Sequence, residues 1–322
     1  MKLKTKISLI IAGGLIVLAS IIFVVGMSIL KWDFTKLSST EYETNEYEIT
    51  DDFNNILIKT DTSDIVFLPG DSEKIKVVLY EQKNLNHNVS ADGGALKIEL
   101  NDTRKWYEHI TLFSFGSPKI TVYLPKKSYD ALNITSNTGD INIPKDFSFS
   151  SIDISISTGD VTACASSLGA TKIKTSTGGV NIDGISTESL DITVTTGKIK
   201  ASNVKCEGDV SIKVSTGKSN LENVQCKNLF SKGSTGDITL KNVIAQGSFS
   251  IERSTGDVTL DLSDASEITI KTDTGDVTGT LLTEKIFIPS SDTGSIKLPG
   301  TTSGGRCKVT TDTGDIKISI AE

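Results

Sequence analysis

A Thr-Gly dipeptide recurs through the second half of this chain at nearly constant spacing. Its threonines are Thr138, Thr158, Thr177, Thr196, Thr216, Thr235, Thr255, Thr274, Thr293 and Thr313, and successive copies are 19 or 20 residues apart. A period in this range is typical of arrays in which one structural unit stacks on the next. The repeat spans more than half of the 322 residues and constrains the fold more than any other feature.

Apolar and polar residues alternate on both sides of each Thr-Gly pair. Four residues before the Thr, the sequence has Ile134, Ile154, Ile173, Ile192, Ile212, Ser231, Ile251, Ile270, Pro289 and Val309. Three residues after the Thr, it has Ile141, Val161, Val180, Ile199, Ser219, Ile238, Val258, Val277, Ile296 and Ile316. The positions six before and five after the Thr are mostly apolar as well. This period of two predicts strands with one buried and one wet face.

We therefore predict an all-β fold, a single-stranded parallel β-solenoid in which about ten coils of 19 or 20 residues occupy residues 131–322. One coil cannot bury its own apolar face, whereas coils stacked in register bury a continuous one. Ten coils spaced by about 4.8 Å give a rod of roughly 48 Å. Right-handed winding is expected, because parallel crossovers prefer that hand. The repeated Thr is expected to pack its methyl group inward, and the Gly to adopt a conformation that a Cβ would penalise.

Residues 46–130 are less regular and are expected to form a β cap or distorted first coils. The segment TDTSDIVFLPG, residues 60–70, resembles a worn copy of the repeat in which Ser63 replaces the Gly. At the other end, the sequence stops soon after Ile316, so the last coil is expected to present an uncovered parallel edge. Lys308 and Lys317 are expected to discourage pairing at that edge.

An aromatic loop at residues 101–118 contains Trp106, Tyr107, Phe113 and Phe115. Such a loop either plugs the end of an apolar core or forms a contact surface, and the plug is the favoured interpretation.

Residues 7–30 form an uncharged apolar stretch that follows Lys2, Lys4 and Lys6 and precedes Lys31. As a helix, this stretch would reach roughly 36 Å and could cross a hydrocarbon core of about 30 Å. We expect a transmembrane signal anchor in the lipid bilayer, with residues 1–6 in the cytoplasm and residues 31–45 as a juxtamembrane stalk. The solenoid would then lie outside a bacterial cytoplasmic membrane. The alternative is an unusually long cleaved signal sequence.

The charge pattern argues against nucleic acid as a partner. The chain carries 33 Lys and Arg against 40 Asp and Glu, for a net charge of -7, and the basic residues form no stripe.

Aspartates accompany many of the repeats and could bind a cation. Asp follows the Gly at Asp140, Asp160, Asp237, Asp257, Asp276 and Asp315. Stacked carboxylates about 4.8 Å apart could hold Ca²⁺, which prefers oxygen ligands. Gly179, Lys198, Lys218 and Ser295 interrupt the series, so ordinary Asp turns are favoured over calcium sites.

Catalytic residues are not evident from the pattern. The two histidines, His87 and His109, lie outside the regular coils. Arg253, or Asp261 with Asp264, could mimic the groups of sugar-cleaving β-helices, but a solvated turn and an Arg in a distorted coil are favoured. We therefore assign no catalytic, cofactor-binding or metal-binding residue and expect no cofactor and no enzymatic activity.

Two cysteines fall at equivalent positions of adjacent coils. Cys206 and Cys226 each lie nine residues beyond their Gly. Stacking would place their Cα atoms about 4.8 Å apart, within the range of a disulfide, while a pair of buried thiols explains the positions equally well.

The phrases STGDVT, at 157–162 and 254–259, and DTGDVT, at 273–278, together with a single anchor, resemble those of the LiaG-like putative-adhesin family of bacterial envelope proteins. The resemblance spans about residues 45–322. It implies a surface-displayed solenoid of unknown function, commonly linked with envelope stress, and it supplies no catalytic residues.

The leading functional hypothesis is a non-enzymatic envelope protein whose rod presents flat sheet faces to wall polysaccharide or to envelope proteins. The alternative is a carbohydrate-active β-helix enzyme that acts on wall or extracellular polysaccharide. A third hypothesis is an accessory partner of an envelope-stress sensor.

Overall fold

The structure is a computed structural model that describes residues 3–34, 41–70, 74–104 and 116–322. One helix, α1, spans Leu3–Ile29 and contains residues 7–29 of the apolar stretch. It is long and apolar enough to cross a membrane, and the solenoid covers none of its apolar window. The aromatic loop residues Trp106, Tyr107, Phe113 and Phe115 lie outside the described residues, as does His109.

The remainder of the described chain is built from 28 strands. The first seven are β1 (Tyr42–Ile49), β2 (Asn55–Lys59), β3 (Asp64–Pro69), β4 (Ile75–Gln82), β5 (Leu85–Asp92), β6 (Ala95–Asp102) and β7 (Lys119–Leu124). The next eleven are β8 (Ser128–Thr138), β9 (Ile141–Ile143), β10 (Ser148–Thr158), β11 (Val161–Ala163), β12 (Ser166–Ser167), β13 (Ala170–Thr177), β14 (Val180–Asp183), β15 (Ser186–Thr187), β16 (Ser189–Thr196), β17 (Ile199–Cys206) and β18 (Asp209–Thr216). The last ten are β19 (Ser219–Cys226), β20 (Asn228–Thr235), β21 (Ile238–Thr255), β22 (Val258–Asp261), β23 (Asp264–Thr274), β24 (Val277–Leu281), β25 (Lys285–Thr293), β26 (Ile296–Lys297), β27 (Gly305–Thr313) and β28 (Ile316–Ile320).

The predicted β-solenoid is confirmed. Strands that precede the turn pair in parallel and in register from coil to coil, as in Ile154↔Ile134 and Ile154↔Ile173. Strands that follow the turn form a second parallel ladder, as in Val161↔Ile141 and Val161↔Val180. The apolar positions of both ladders fill one continuous core. The hand of the winding and the boundary at residue 131 stay predictions.

The repeated glycines make the turn possible. Their φ angles lie between 125° at Gly236 and 156° at Gly197, a region that side chains penalise. A Cβ added to Gly159 would collide with the carbonyl oxygen of Gly139 in the preceding coil. The predicted role of the Gly is therefore confirmed, because each coil corner passes close to the corner below it.

The prediction that the repeated Thr points inward is wrong. Thr138 and Thr158 are exposed, and the inward position is instead two residues earlier, at Ser136 and Ile156. The strict alternation ends there, since the residue between also faces solvent. The Thr backbone still contributes to stacking, because the Thr158 carbonyl accepts a hydrogen bond from the amide of Gly139.

The worn copy at residues 60–70 forms a genuine first coil. Thr62 lies opposite Thr138, and the Ser63 amide donates to the Thr138 carbonyl in the same way as the repeated glycines do. On its other side this coil is covered by the cap, where β6 runs parallel to β2 and β7 runs parallel to β3. The remaining cap strands β1, β4 and β5 add antiparallel pairs.

The last two coils stack in the reverse of their sequence order. Strand β27 lies between β23 and β25, and β28 lies between β24 and β26. The Gly275 amide accordingly donates to the Thr313 carbonyl, and the Gly314 amide donates to the Thr293 carbonyl. The expectation of an uncovered final coil is therefore wrong. The free end of the stack is residues 285–298, which we name the tip.

The tip also departs from the predicted burial columns. Pro289 and Ile296 are exposed and Phe287 is only partly buried, because no coil covers them. Proline explains why this coil takes the end position, since it has no backbone N–H and is tolerated in sheets mainly at an edge. The amide of Thr60, two residues before Thr62, donates toward the following coil. Pro289 lies four residues before Thr293. Because the backbone nitrogens of alternate strand residues point in the same direction, the nitrogen of Pro289 also points toward the following position in the stack. At the tip that position is the free edge, where no donor is needed.

Candidate functional site

The outer face of the ladder that precedes the turns is a regular surface of the rod. Its central outward row, five residues before each repeated Thr, contains Asn133, Asp153, Lys172, Asp191, Ser211, Phe230, Ser250, Thr269, Lys308 and Ile288 in stacking order. Polar residues dominate the row, as expected for a wet face. Phe230 is its single aromatic member.

Phe230 projects from this face between two small neighbours. Its side chain is 42% exposed, and the in-register residues on either side are Ser211 and Ser250. Lys232 and Glu252 form an ion pair of 3.0 Å beside it, and Lys213 lies on the far side of Lys232. An exposed aromatic ring can stack on the apolar face of a ring in a ligand. The hydroxyl and charged groups that flank the aromatic ring can then form hydrogen bonds with the polar edge of the ligand ring.

The surface around Phe230 forms a shallow depression of about 220 Å³. Enclosed ligand pockets usually have volumes of about 300–1,000 Å³. The depression is therefore suited to one unit of a longer ligand that lies along the face.

The aspartates of the turns have a structural role. The Asp237 carboxylate accepts the amide of Asp257 at 3.1 Å, Asp257 accepts that of Asp276 at 2.9 Å, and Asp276 accepts that of Asp315 at 2.7 Å. Each carboxylate thus satisfies a backbone donor of the neighbouring coil. Within the described part of the chain, no three His, Cys, Asp or Glu residues form a group that could hold a metal ion.

A second ladder of amides runs along another corner and was not predicted. Asn223 donates to Asn203 at 3.0 Å, and Asn242 donates to Asn223 at 2.9 Å. These asparagines have φ angles of 51° to 55°, which Asn tolerates better than most side chains do. Leu262 continues the same corner with a φ of 48° and lacks the amide.

Arg253 is buried in the core. Its guanidinium donates to the Ser231 hydroxyl at 2.8 Å and to the Glu252 carbonyl at 2.7 Å. Gly233 makes room for it, because an added Cβ would lie 3.1 Å from the guanidinium. Burial lowers the pKa of Arg253 to about 10. The irregular residues Ser231 and Gly233 therefore accommodate one buried arginine, and Arg253 does not face a ligand.

Asp261 and Asp264 have different environments. Asp261 is exposed, whereas Asp264 is buried and lies 2.6 Å from the buried Lys285 ammonium. Asp264 also accepts hydrogen bonds from the amide and hydroxyl of Thr283 at 2.7 and 2.8 Å. With its oxygens bonded in this way, Asp264 is not available as an acid for sugar cleavage.

A buried polar network joins the cap to the first coil. Nδ1 of His87 lies 2.8 Å from the Glu81 carboxylate, and Nε2 lies 2.8 Å from the Thr60 hydroxyl. Burial favours a higher pKa for Glu81, but hydrogen bonds from His87 and Asn45 outweigh it and hold that pKa below its ordinary value. An ionised carboxylate accepts only, so Nδ1 is the donor.

This network has the order of groups that activates a hydroxyl nucleophile in hydrolases. The Thr60 side chain is only 9% exposed, and its hydroxyl also contacts Ser63 at 3.2 Å. The geometry therefore indicates a polar clamp between the cap and the coil. Sequence spacing could not reveal this network, because the sequence does not show how the cap strands that contain Glu81 and His87 fold over the coil that contains Thr60.

The four cysteines are free thiols in the structure, and Cys206 and Cys226 are both buried. Burial raises the pKa of Cys226 to about 12 and also raises that of Cys206. Their predicted stacking is supported by the adjacent in-register pairs Val204↔Val224 and Lys205↔Gln225.

These features define a β-solenoid repeat protein with a mostly polar outer face and an apolar N-terminal helix. The sequence profile of the Toastrack DUF4097 family matches residues 53–213 and 207–322, and the chain belongs to that family. The predicted resemblance to β-repeat envelope proteins is thereby confirmed. A search of curated proteins gives no match.

Several solved structures are similar to this chain at low sequence identity. A putative adhesin from Bacteroides fragilis is 14% identical, with 87% of this chain and 97% of that chain covered and a TM-score of 0.42. A putative lipid binding protein from Parabacteroides distasonis is 14% identical, with 85% and 96% covered and a TM-score of 0.48. A putative adhesin from the same species is 10% identical, with 87% and 98% covered and a TM-score of 0.40.

Proposed function

We propose that this protein is a membrane-anchored, extracytoplasmic binding protein whose solenoid presents its outer sheet face to wall polysaccharide. The observation that carries the proposal is Phe230, an exposed aromatic ring in an otherwise non-aromatic row. The ring would stack on one sugar unit, and Ser211 and Ser250 would bond the hydroxyls of its neighbours along the same row.

The anchor in this proposal is helix α1. Its 27 residues exceed the roughly 20 that a bilayer core requires. The lysines at positions 2, 4 and 6 favour a cytoplasmic N-terminus and an external solenoid.

Binding without catalysis is the form of the proposal that the side chains favour. Asp264 is held in a buried ion pair, Arg253 in the core, and Thr60 under the cap. Each of these three groups is thus engaged in packing the solenoid. The rival function is that of a carbohydrate-active enzyme. Such an enzyme would shorten glycan chains during incubation, whereas a binding protein would leave their length unchanged.

Cosedimentation of the detergent-solubilised full chain with purified, polysaccharide-bearing cell-wall sacculi tests the proposal. Phe230→Ala should weaken binding by about tenfold, the effect of about 1.4 kcal/mol of lost stacking. Phe230→Tyr should keep most of the binding, because it keeps the ring. Thr269→Ala, an exposed change in the same row, is the matched control and should have no effect.

Two results would contradict the proposal. Equal binding of sacculi by wild type and Phe230→Ala would show that the aromatic ring does not contribute to binding. Shorter glycan chains in the supernatant, lost on His87→Ala or Asp264→Asn, would favour the enzyme instead.

A further inference from the structure

The tip of the solenoid exposes more large apolar side chains than the coils before it. Ile286, Ile288 and Ile296 are 43%, 46% and 47% exposed, and Leu282 beside them is 41% exposed. Isolated apolar residues on a surface are normal, whereas several in one place mark an interaction site.

The exposure at Ile286 and Ile288 is not a consequence of the missing next coil. Both residues belong to outward rows, in register with Arg306 and Lys308 of the coil beneath. In the coils from Thr138 to Thr274, the residue at the position of Ile286 is Ala, Ser, Asp, Asn or Glu. The tip therefore replaces a polar outer face by an apolar one.

Two basic side chains border this apolar pair. Arg306 and Lys308 are exposed, and neither forms an ion pair with the described residues. By contrast, Lys317 of the coil adjoining the tip is paired with Asp315 at 2.6 Å. This arrangement suits the surface of an anionic bilayer. The apolar side chains can enter the boundary of the acyl chains, and the unpaired cations can contact the anionic headgroups.

The free edge is unsuited to another protein strand. Pro289 places a nitrogen without hydrogen at the centre of that edge, where an added strand would need a donor. A protein that docked without strand pairing would usually need an interface of at least about 1,200 Å² in total. A bilayer needs only a few inserted side chains and nearby cations.

We propose that the tip docks on an anionic lipid bilayer by inserting Ile286 and Ile288 while Arg306 and Lys308 contact phosphate headgroups. The cap and the tip are at opposite ends of the stack. Strands β6 and β7 cover the first coil, and β25 is the last strand in the stacking order of its ladder. The proposal places the tip on a bilayer other than the one that holds α1. This goes beyond the proposed function and does not depend on what Phe230 binds.

A vesicle-capture assay tests the inference with the full chain. The protein is reconstituted in neutral phosphatidylcholine vesicles, and capture of labelled, protein-free vesicles with about 30% phosphatidylglycerol is measured by flotation. Wild type should capture these vesicles, and Ile286→Ser with Ile288→Ser should reduce capture at least fivefold. Leu168→Ser removes a side chain that is 81% exposed elsewhere on the rod and should not reduce it.

The charge requirement is tested separately. Arg306→Gln with Lys308→Gln should reduce capture of anionic vesicles severalfold, and wild type should capture labelled vesicles of pure phosphatidylcholine poorly. Phe230→Ala should capture as wild type does, which separates this result from a failure of the polysaccharide proposal.

Two outcomes would overturn the inference. One is unchanged capture by the isoleucine variant when its melting temperature matches that of wild type. The other is clustering of the protein-bearing vesicles among themselves without capture of the labelled ones, which would assign the tip to a second copy of the chain.

Discussion

The Asp264 carboxylate lies 2.6 Å from the Lys285 ammonium, although strand β27 separates the strands to which these residues belong. Gly305 is the β27 residue in register with Lys285, so no side chain of that residue blocks the path between them. The pair therefore ties the tip to the coil of Thr274 across the inserted coil.

Breaking this pair should loosen the end of the solenoid. Lys285→Met should lower the free energy of unfolding by about 3 kcal/mol, because it leaves a buried carboxylate without its cation. Asp264→Asn should have a similar cost, and the double variant should cost less than the sum of the two. Urea unfolding of the four proteins measures the coupling, and strictly additive values would show that the two groups do not interact.

Proline should be tolerated in the tip strand and not in the strand beneath it. Val309, fully buried in β27, is in register with Pro289. Val309→Pro should destabilise by about 3 kcal/mol or more, because it removes a ladder hydrogen bond inside the sheet.

The reverse change supplies the matched control. Pro289→Val should fold with near-normal stability but should associate at lower concentration, since it restores a donor at the free edge. Thermal melting and sedimentation velocity separate these effects. Equal loss of stability in both variants would contradict the edge position of β25.

Leu262 occupies a backbone conformation that favours Asn or Gly. Its φ is 48°, and the preceding member of the corner, Asn242, has a φ of 51°. Leu262→Asn should raise the free energy of unfolding by up to about 1 kcal/mol, because it relieves backbone strain and lets a new amide bond to Asn242. Leu262→Ala, which lacks that amide, should give no gain. A loss of stability in the Asn variant would show that Leu262 has a packing role.

The Glu81 carboxylate should make the cap sensitive to acid. Its pKa is below the ordinary 4.5 in the folded chain, so the unfolded chain takes up the proton first as the pH falls. The stabilisation is thus complete above about pH 5 and is lost as the pH falls through the folded pKa.

Glu81→Gln isolates this contribution. The variant should be less stable than wild type at pH 7 by about 1–3 kcal/mol, with a flatter decline of stability between pH 6 and pH 3. Unfolding followed by near-ultraviolet spectra over this range is the measurement. Parallel pH profiles for the two proteins would show that Glu81 does not cause the loss of stability in acid.

The repeat predicted the core closely because its signal is local. Each Ile of the column from Ile134 to Ile212 has a polar neighbour on both sides, and the parity of the strand then decides which residue is buried. The inward Thr was a wrong extension of this parity through the turn. Alternation fails over the last two residues of each strand, where the chain enters the turn at Thr138 and its equivalents.

Stacking order and the buried polar clusters were harder to predict. Pro289 was a usable signal for the edge coil. It interrupts a column of Ile and Val, and inner coils need a backbone N–H donor at this position, which proline lacks. Phe230 was likewise visible as the lone aromatic in its row. The chain of contacts from Glu81 through His87 to Thr60 was not, because it depends on how the cap strands fold over the first coil.

Cross-linking of the outward row tests the order of the last coils, on which the tip and its lipid proposal depend. Thr269 lies in register with Lys308, and Lys308 lies in register with Ile288. The pairs Thr269→Cys with Lys308→Cys, and Lys308→Cys with Ile288→Cys, should each form a disulfide under mild oxidation, as peptide mass mapping would show. Thr269→Cys with Ile288→Cys should form none. A disulfide in this third pair, without one between positions 269 and 308, would contradict the structure.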